Sequence, residues 1–236
     1  YDISLFQDAR LKKHYKKGYT ILDYIPRDSK AFTSLMDSTR TPGGVVTVLS
    51  ASVLDKFTVE VTPLPASLAG RALHLKLTSI KDGFEFGILN LYLTSGNSHP
   101  CRLREVSAVA GAIPVLPLLF MGGDFNFVEC KSKDSSSSSD YYDLPANFRE
   151  KWDSFLKDHS LDEVRQGCHT YFDVGTKVSS RLDRIYSSLS EADRGAFSPF
   201  CFPVSVPHSV IGSFKDVPAT ETDPNGVVKC SFGSDH

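Results

Sequence analysis

Val115-Leu116-Pro117-Leu118-Leu119-Phe120-Met121-Gly122-Gly123-Asp124-Phe125-Asn126 is an apolar run closed by two glycines, a carboxylate and a carboxamide. A short apolar run bounded by turn residues reads as a strand, so Val115 to Met121 is expected to be one, punctuated by Gly122-Gly123. Alternation along an extended segment sends residues i and i+2 to the same side, which lets Asp124 and Asn126 face one site. A carboxylate there can align or deprotonate a water. A neutral amide beside it can donate to a phosphate oxygen without competing for a metal. Taken alone, Gly-Asp-x-Asn is also good turn chemistry, and its weight comes from its companions.

The first companion is Ser180-Arg181-Leu182-Asp183-Arg184-Ile185-Tyr186, where apolar and charged residues alternate. Asp183 between two arginines is either part of a surface salt-bridge cluster or a carboxylate held ionised for a metal or a neighbouring group. The second is Gly233-Ser234-Asp235-His236. Adjacent strand residues point apart, so His236 is expected to be oriented by a carboxylate from another strand, Asp183, while Asp235 faces a metal. An oriented imidazole stabilises phosphate charge or acts as a base near neutral pH. The third is Gln7-Asp8, which closes the apolar run from Tyr1 to Phe6. A carboxylate at a strand end, with waters and a substrate phosphate, suits magnesium. Arg10, Lys12, Lys13, Lys16 and Lys17 follow, as a solvated basic face or as contacts to a phosphate backbone. Arg10, Lys12, Lys13 and Arg181 are the expected phosphate or DNA contacts. Together these groups are what hydrolysis of a phosphodiester at a divalent cation requires, assembled from several strand ends.

The rest of the chain sets bounds. Its 236 residues, 41% hydrophobic and 23% charged, suit an ordinary globular α/β protein, and a net charge of -2 argues against a generally basic nucleic-acid coat. Cys101, Cys130, Cys168, Cys201 and Cys230 are scattered without a CxxC pair, which fits neither a disulfide framework nor a zinc site. Reduced thiols in an intracellular compartment are therefore expected. The most apolar stretch, Val106 to Met121, is broken by two prolines and is too short to span a bilayer. The remaining histidines lack metal-type spacing, and no P-loop, GxSxG or dinucleotide fingerprint is present.

Strands are expected at Val45–Leu54, Phe57–Val61, Leu73–Leu77, Phe86–Leu93 and Val115–Met121, close together and tightly connected, as in antiparallel meanders. Helices are expected at Arg102–Gly111 and at Ala146–Asp158, where Phe148, Trp152, Phe155 and Leu156 share one side and mark Trp152 as core. The serine-rich run Lys131–Asp140 reads as a flexible surface loop. With no repeat and no linker, residues 1–236 read as one domain.

The order Gln7-Asp8, Asn90-Leu91-Tyr92, Gly123-Asp124-Phe125-Asn126, Ser180-Arg181-Leu182-Asp183-Arg184-Ile185 and Ser234-Asp235-His236 resembles the endonuclease/exonuclease/phosphatase superfamily. That superfamily includes deoxyribonuclease I, the exonuclease III-type abasic-site endonucleases and the LINE-type retrotransposon endonucleases. The resemblance covers essentially the whole chain. It is nearest the retrotransposon type, on Tyr1 to Asp8, Gly43-Gly44-Val45, and Leu161-Asp162-Glu163-Val164 followed by His169-Thr170-Tyr171. It implies an α/β (α+β) four-layer sandwich: two mixed, mainly antiparallel β-sheets flanked by helices, with the site at one end. It further implies that Asp8 binds Mg2+ or Mn2+, Tyr92 contacts the scissile phosphate and Asp124 positions or activates the water. Asn126 then holds the phosphate in the transition state, Asp183 supports the histidine, Asp235 assists metal or histidine, and His236 stabilises the pentavalent phosphate. The implied activity is nicking of DNA by an intracellular enzyme, nuclear if of the retrotransposon or repair type; no membrane association is expected, and a monomer is favoured although the sequence does not read out the oligomeric state. RNA, an inositol phosphate or a lipid headgroup is the alternative substrate, and an inactive mobile-element remnant the alternative role.

The chain departs from the family in carrying Asp8 where a glutamate is usual. The family's first strand, with its metal-site Asn, and its closing strand are expected beyond Tyr1 and His236, so both ends read as cut, with any targeting signal outside them. Missing strands leave ladder hydrogen bonds unpaired. This 236-residue stretch is therefore expected to nick plasmid with magnesium weakly or not at all, while a chain extended at both ends cleaves. Equal rates for the two would overturn that expectation.

Overall fold

The computed structural model describes residues 2–9, 25–36, 44–96, 98–137, 144–164, 169–173, 175–190 and 192–193. Strands β1 (Ile3–Phe6), β2 (Lys30–Leu35) and β3 (Gly44–Leu49) form one antiparallel sheet in the order β1-β3-β2. A helical turn, α1 (Ala51–Leu54), leads to β4 (Phe57–Val61), β5 (Ala72–Ser79) and β6 (Glu85–Tyr92), an antiparallel meander. Helix α2 (His99–Ala110) crosses over to β7 (Leu119–Asp124), which lies parallel to β6. After α3 (Lys131–Asp134) and α4 (Ala146–Asp158) come β8 (Asp162–Glu163), the hairpin β9 (Tyr171–Asp173) and β10 (Val178–Ser180), and β11 (Asp183–Ser187). The larger sheet runs β4-β5-β6-β7-β11-β8.

Period-2 alternation builds the layers. Along β3, Val45 and Leu49 join Leu73, Leu75, Leu77, Phe86 and Ile88 in a core between the two sheets. Val46 and Val48 point the other way, into a cluster with Ala9, Phe6, Ile25 and Ala31. On the opposite face of the larger sheet, Leu89, Leu91, Met121 and Tyr186 pack beneath Val106 and Val109 of α2 and Phe148, Trp152 and Phe155 of α4. Trp152 is fully buried, edge-on to Phe125, Phe127 and Tyr186. Three of the four expected layers thus lie among the described residues, together with an apolar outer face on the smaller sheet.

Several boundaries shift for identifiable reasons. The strand expected from Val115 begins at Leu119, because Pro114 and Pro117 cannot donate to a ladder, and Val115 is exposed. It then continues through Gly122 and Gly123, so the glycines lie within a strand rather than in a turn. The strand expected over Val45–Leu54 ends at Leu49. Helix α2 starts early, at His99, with Pro100 in its first turn, where a missing N–H costs nothing. The stretch expected as a loop from Lys131 opens as a helical turn with Asp134 buried; Ser138 to Asp140 lie outside the described residues.

The two glycines differ in how firmly they are required. A β-carbon on Gly122 would meet only the far end of the Leu5 side chain of β1, at 2.9 Å, which a small shift of that side chain relieves. Gly123 has φ +151°, and a β-carbon there would run into the Leu91 carbonyl. Gly123→Ala is expected to destabilise the fold by about 2 kcal/mol or more, read from the urea midpoint. A midpoint equal to wild type would show that β6 and β7 separate readily.

Candidate active site

Three expected residues stand side by side. Tyr92 ends β6, Asp124 ends β7 and Asp183 opens β11, and the registers make Asp124 the cross-strand partner of both others. Alternation places all three on the face toward the smaller sheet, since Phe86, Ile88 and Phe120 of the same rows pack there. The smaller sheet brings up Gln7 and Asp8 from the end of β1. The Gln7 amide donates to Asn90 Oδ1 at 2.7 Å, and the Asn90 amide donates to the Val46 carbonyl at 3.0 Å. Asp8 has φ +49°, a left-handed turn that takes its carboxylate out of the strand direction.

Asn126 reaches Asp124 by a different route from strand alternation. Its own φ is +53°, so the chain turns back at once. Its backbone N–H donates to Asp124 Oδ1 and its side-chain amide to Asp124 Oδ2, each at 2.9 Å. The second amide hydrogen goes to the Leu93 carbonyl at 2.9 Å. With both amide hydrogens engaged, Asn126 fixes the Asp124 carboxylate and has none left for a phosphate in this state. Thr170 serves Asp183 in a similar way. Its hydroxyl oxygen accepts from the backbone N–H of Leu182 and Asp183 at 3.1 and 3.0 Å.

Two carboxylates crowded together cannot both ionise easily. Burial and then the charge of Asp183 raise Asp124 to about 8, against the Asn126 hydrogen bonds and Arg184. Burial also raises Asp183, opposed by Thr170 and Arg184. Burial raises the Tyr92 hydroxyl, helped by the charges of Asp8 and Asp124 and opposed by Arg71. That dependence puts Asp8 and Asp124 each within electrostatic reach of Tyr92.

Arg181, expected at a phosphate, turns inward instead. Its guanidinium pairs with Asp134 at 2.5 Å and Glu163 at 2.8 Å, and its side chain is only 7% exposed. Arg181 lies between β10 and β11, where its backbone N–H donates to the Asp134 carbonyl at 2.8 Å and draws its guanidinium to the buried Asp134 carboxylate. Arg184 lies on the helix side, between the rings of Phe125 and Phe127, donates to the Phe127 carbonyl, and sits 3.6 Å from both Glu129 and Asp134. Asp134 also accepts from the N–H groups of Glu129 and Cys130. Although burial pushes its carboxyl upward, the Cys130 N–H and the two guanidiniums hold it below the usual range. Removing one partner from such a buried cluster costs about 3–5 kcal/mol. The arginines flanking Asp183 therefore belong to a buried charge cluster rather than a surface one, and Arg184 opposes the upward push of burial on Asp183.

Asp235, His236, Arg10, Lys12 and Lys13 lie outside the described residues. Sequence reasoning assigned no role to Thr170, Asp134 or Arg71; Thr170 stands in the His169-Thr170-Tyr171 segment quoted for the resemblance, and Asp134 sits inside the serine-rich run. Cys101 and Cys130 are free thiols. Among the described residues no three His, Cys, Asp or Glu side chains cluster tightly enough to hold a metal by themselves. Magnesium needs only one or two carboxylates, with waters and substrate phosphate, and the oxygen donors here suit such a hard cation. No described helix is long and apolar enough to cross a membrane.

No family model matches the chain, and no curated protein matches it by sequence. Solved structures do match it in shape. The AP endonuclease LMAP from Leishmania major superposes with a TM-score of 0.57 over 79% of this chain and 69% of its own, at 13% identity. The 3' phosphatase NExo from Neisseria, bound to a product DNA hairpin, gives 0.54 over 79% and 76%, at 18% identity. The endonuclease domain of TRAS1, a telomere-specific non-LTR retrotransposon, gives 0.50 over 78% and 71%, at 16% identity. At these identities the likeness is one of fold.

The raised Asp124 has a sign that can be checked. Stability from keeping this carboxyl protonated is fully present below the ordinary value of 3.8 and is lost as pH rises through about 8. Without divalent ions, Asp124→Asn is expected to be more stable than wild type at pH 9 by about 1 kcal/mol. The gap should close toward pH 4. Equal urea midpoints at both pH values would show that the pair carries no such strain.

Proposed function

We propose that this chain, which has the deoxyribonuclease I-like fold of the endonuclease/exonuclease/phosphatase superfamily, is a metal-dependent phosphodiesterase that nicks DNA. The observation that carries this reading is the register of Tyr92, Asp124 and Asp183 across three neighbouring strands, on one face, at one end of the larger sheet. DNA is favoured over other phosphodiesters because the fold's matches include two endonucleases and an enzyme bound to a DNA hairpin.

Each residue has a role that its surroundings support. Asp124, with its proton affinity raised by burial toward neutral pH, suits a general base that aligns and deprotonates the attacking water. Asn126 holds that carboxylate through two hydrogen bonds. The Tyr92 hydroxyl, kept protonated by burial and by nearby carboxylates, donates to a phosphate oxygen. Asp183, set by Thr170, supports an imidazole, for which His236 is the candidate, and Asp235 is a second candidate metal ligand. Asp8 would hold the magnesium ion, with a carboxylate one methylene shorter than the family's glutamate. When bound, that ion neutralises charge on the phosphate. Arg10, Lys12 and Lys13 remain candidate contacts to the DNA backbone. Such an enzyme acts where DNA is, in the nucleus for a retrotransposon or repair endonuclease.

Supercoiled plasmid with magnesium tests the reading, using this chain, a longer one extended at both ends, and Asp124→Ala. Nicking is expected to require the metal and to fall about a thousandfold in the variant. Magnesium alone should also raise the thermal midpoint of wild type and leave Asp8→Ala unmoved. A folded, extended chain that cleaves RNA or an inositol phosphate but leaves plasmid intact would overturn the DNA assignment.

A further inference from the structure

Tyr92 is held by a residue from another strand. The Tyr92 backbone N–H donates to the Arg71 carbonyl at 2.8 Å, which carries the pairing of β5 and β6 one step past Ala72. The Arg71 side chain then folds over the tyrosine, with its guanidinium carbon 4.8 Å from the ring centroid. The same guanidinium forms an ion pair with Glu105 of α2, with Nε 3.9 Å from Oε1. Glu105 is itself fixed by the loop that leaves Tyr92: it accepts from the Thr94 hydroxyl at 2.5 Å and from the Thr94 N–H at 2.9 Å. Ring, guanidinium, carboxylate and loop thus close a circuit around one side chain of the site. Neither Arg71 nor Glu105 is more than 18% exposed at its side chain.

The other described arginines near the site are committed elsewhere. Arg181 and Arg184 face buried carboxylates, and Arg102 donates to the carbonyls of Thr94 and Gly96. A planar guanidinium stacks on an aromatic face and forms directional contacts that an ammonium does not reproduce. From this arrangement we infer that Arg71 is a positioning residue of the site: stacked on Tyr92 and anchored by Glu105, it aims the tyrosine hydroxyl at the scissile phosphate. The inference rests on the phosphodiesterase reading for its kinetic consequence, though not for its structural one. Gly70 just before it has φ +71° and donates its N–H to Ser34 Oγ at 3.0 Å, which ties this end of β5 to β2 of the smaller sheet.

The test is kinetic and spectroscopic. Arg71→Ala is expected to lower kcat about tenfold while KM stays within about threefold, because the interaction is made through Tyr92 in the transition state. Arg71→Lys should recover less than half of the loss. In a Tyr92→Phe background, Arg71→Ala should cost little more, since the group it aims is gone. Glu105→Gln gives a weaker copy of the same pattern and serves if Arg71→Ala does not fold. Without any substrate, the ring-carbon resonance of labelled Tyr92 should move in Arg71→Ala and move less in Arg71→Lys. A rise in KM with kcat intact, or full additivity with Tyr92→Phe, would overturn the inference in favour of a direct backbone contact. An unmoved Tyr92 resonance in a folded variant would overturn it as well. Should wild type hydrolyse no phosphodiester, the resonance still decides whether Arg71 sets the ring, so failure of the functional reading stays distinguishable.

Discussion

Everything at this site depends on how closely two sheets and three strands approach at the end of β7. Gly122 has no side chain, so Leu5 of β1 can close on it. Gly123 has a backbone conformation that side chains rarely adopt, so β6 and β7 stay in register up to Tyr92 and Asp124. A methyl group on Gly123 would push apart β6 and β7, which bring Tyr92 and Asp124 together, whereas one on Gly122 would meet only the tip of Leu5. The acidic residues are conspicuous in the sequence, but the glycine just ahead of Asp124 decides whether they stand side by side.

Behind these carboxylates the fold does something costly. Arg184, Arg181, Asp134 and Glu129 are drawn together on the helix side of β11, against Phe125 and Phe127. Replacing such a cluster by apolar groups is often neutral or stabilising, so its presence is weak evidence for stability as such. Its position suggests what it contributes here. Arg184 is the positive charge that opposes the rise of both Asp124 and Asp183. It also fixes, through the Phe127 carbonyl, the turn that carries Asn126. Charge balance and loop geometry come from one side chain.

Much of this was legible beforehand, and the failures have a common cause. Alternation and helical spacing located β4, β5, β6 and α4, because those patterns are local and the apolar faces are unambiguous. The same alternation grouped Asp124 with its neighbours on other strands once their order was given. Arg181, Arg184 and Asp134 were misread because charged residues are ordinarily exposed, and what buries them is their mutual neutralisation across 47 residues of chain in the case of Arg181 and Asp134. Asp134 was further hidden by the serines around it. Arg71 escaped for a related reason: its partners, Tyr92 and Glu105, lie on different elements, and no spacing along the chain connects them.

Asn90 gives the assembly a mechanical character. It belongs to the larger sheet, yet its side chain spends its hydrogen bonds on the smaller one, reaching the Val46 carbonyl, the Thr47 hydroxyl and the Gln7 amide. Asp8 rides on the smaller sheet and Asp124 on the larger, so the distance between them is set by how the layers slide. An amide that crosses the interlayer gap works as a shear pin. Sliding by one residue would leave the hydrogen-bond ladders within each sheet intact, while Asp8 would no longer stand opposite Tyr92 and Asp124.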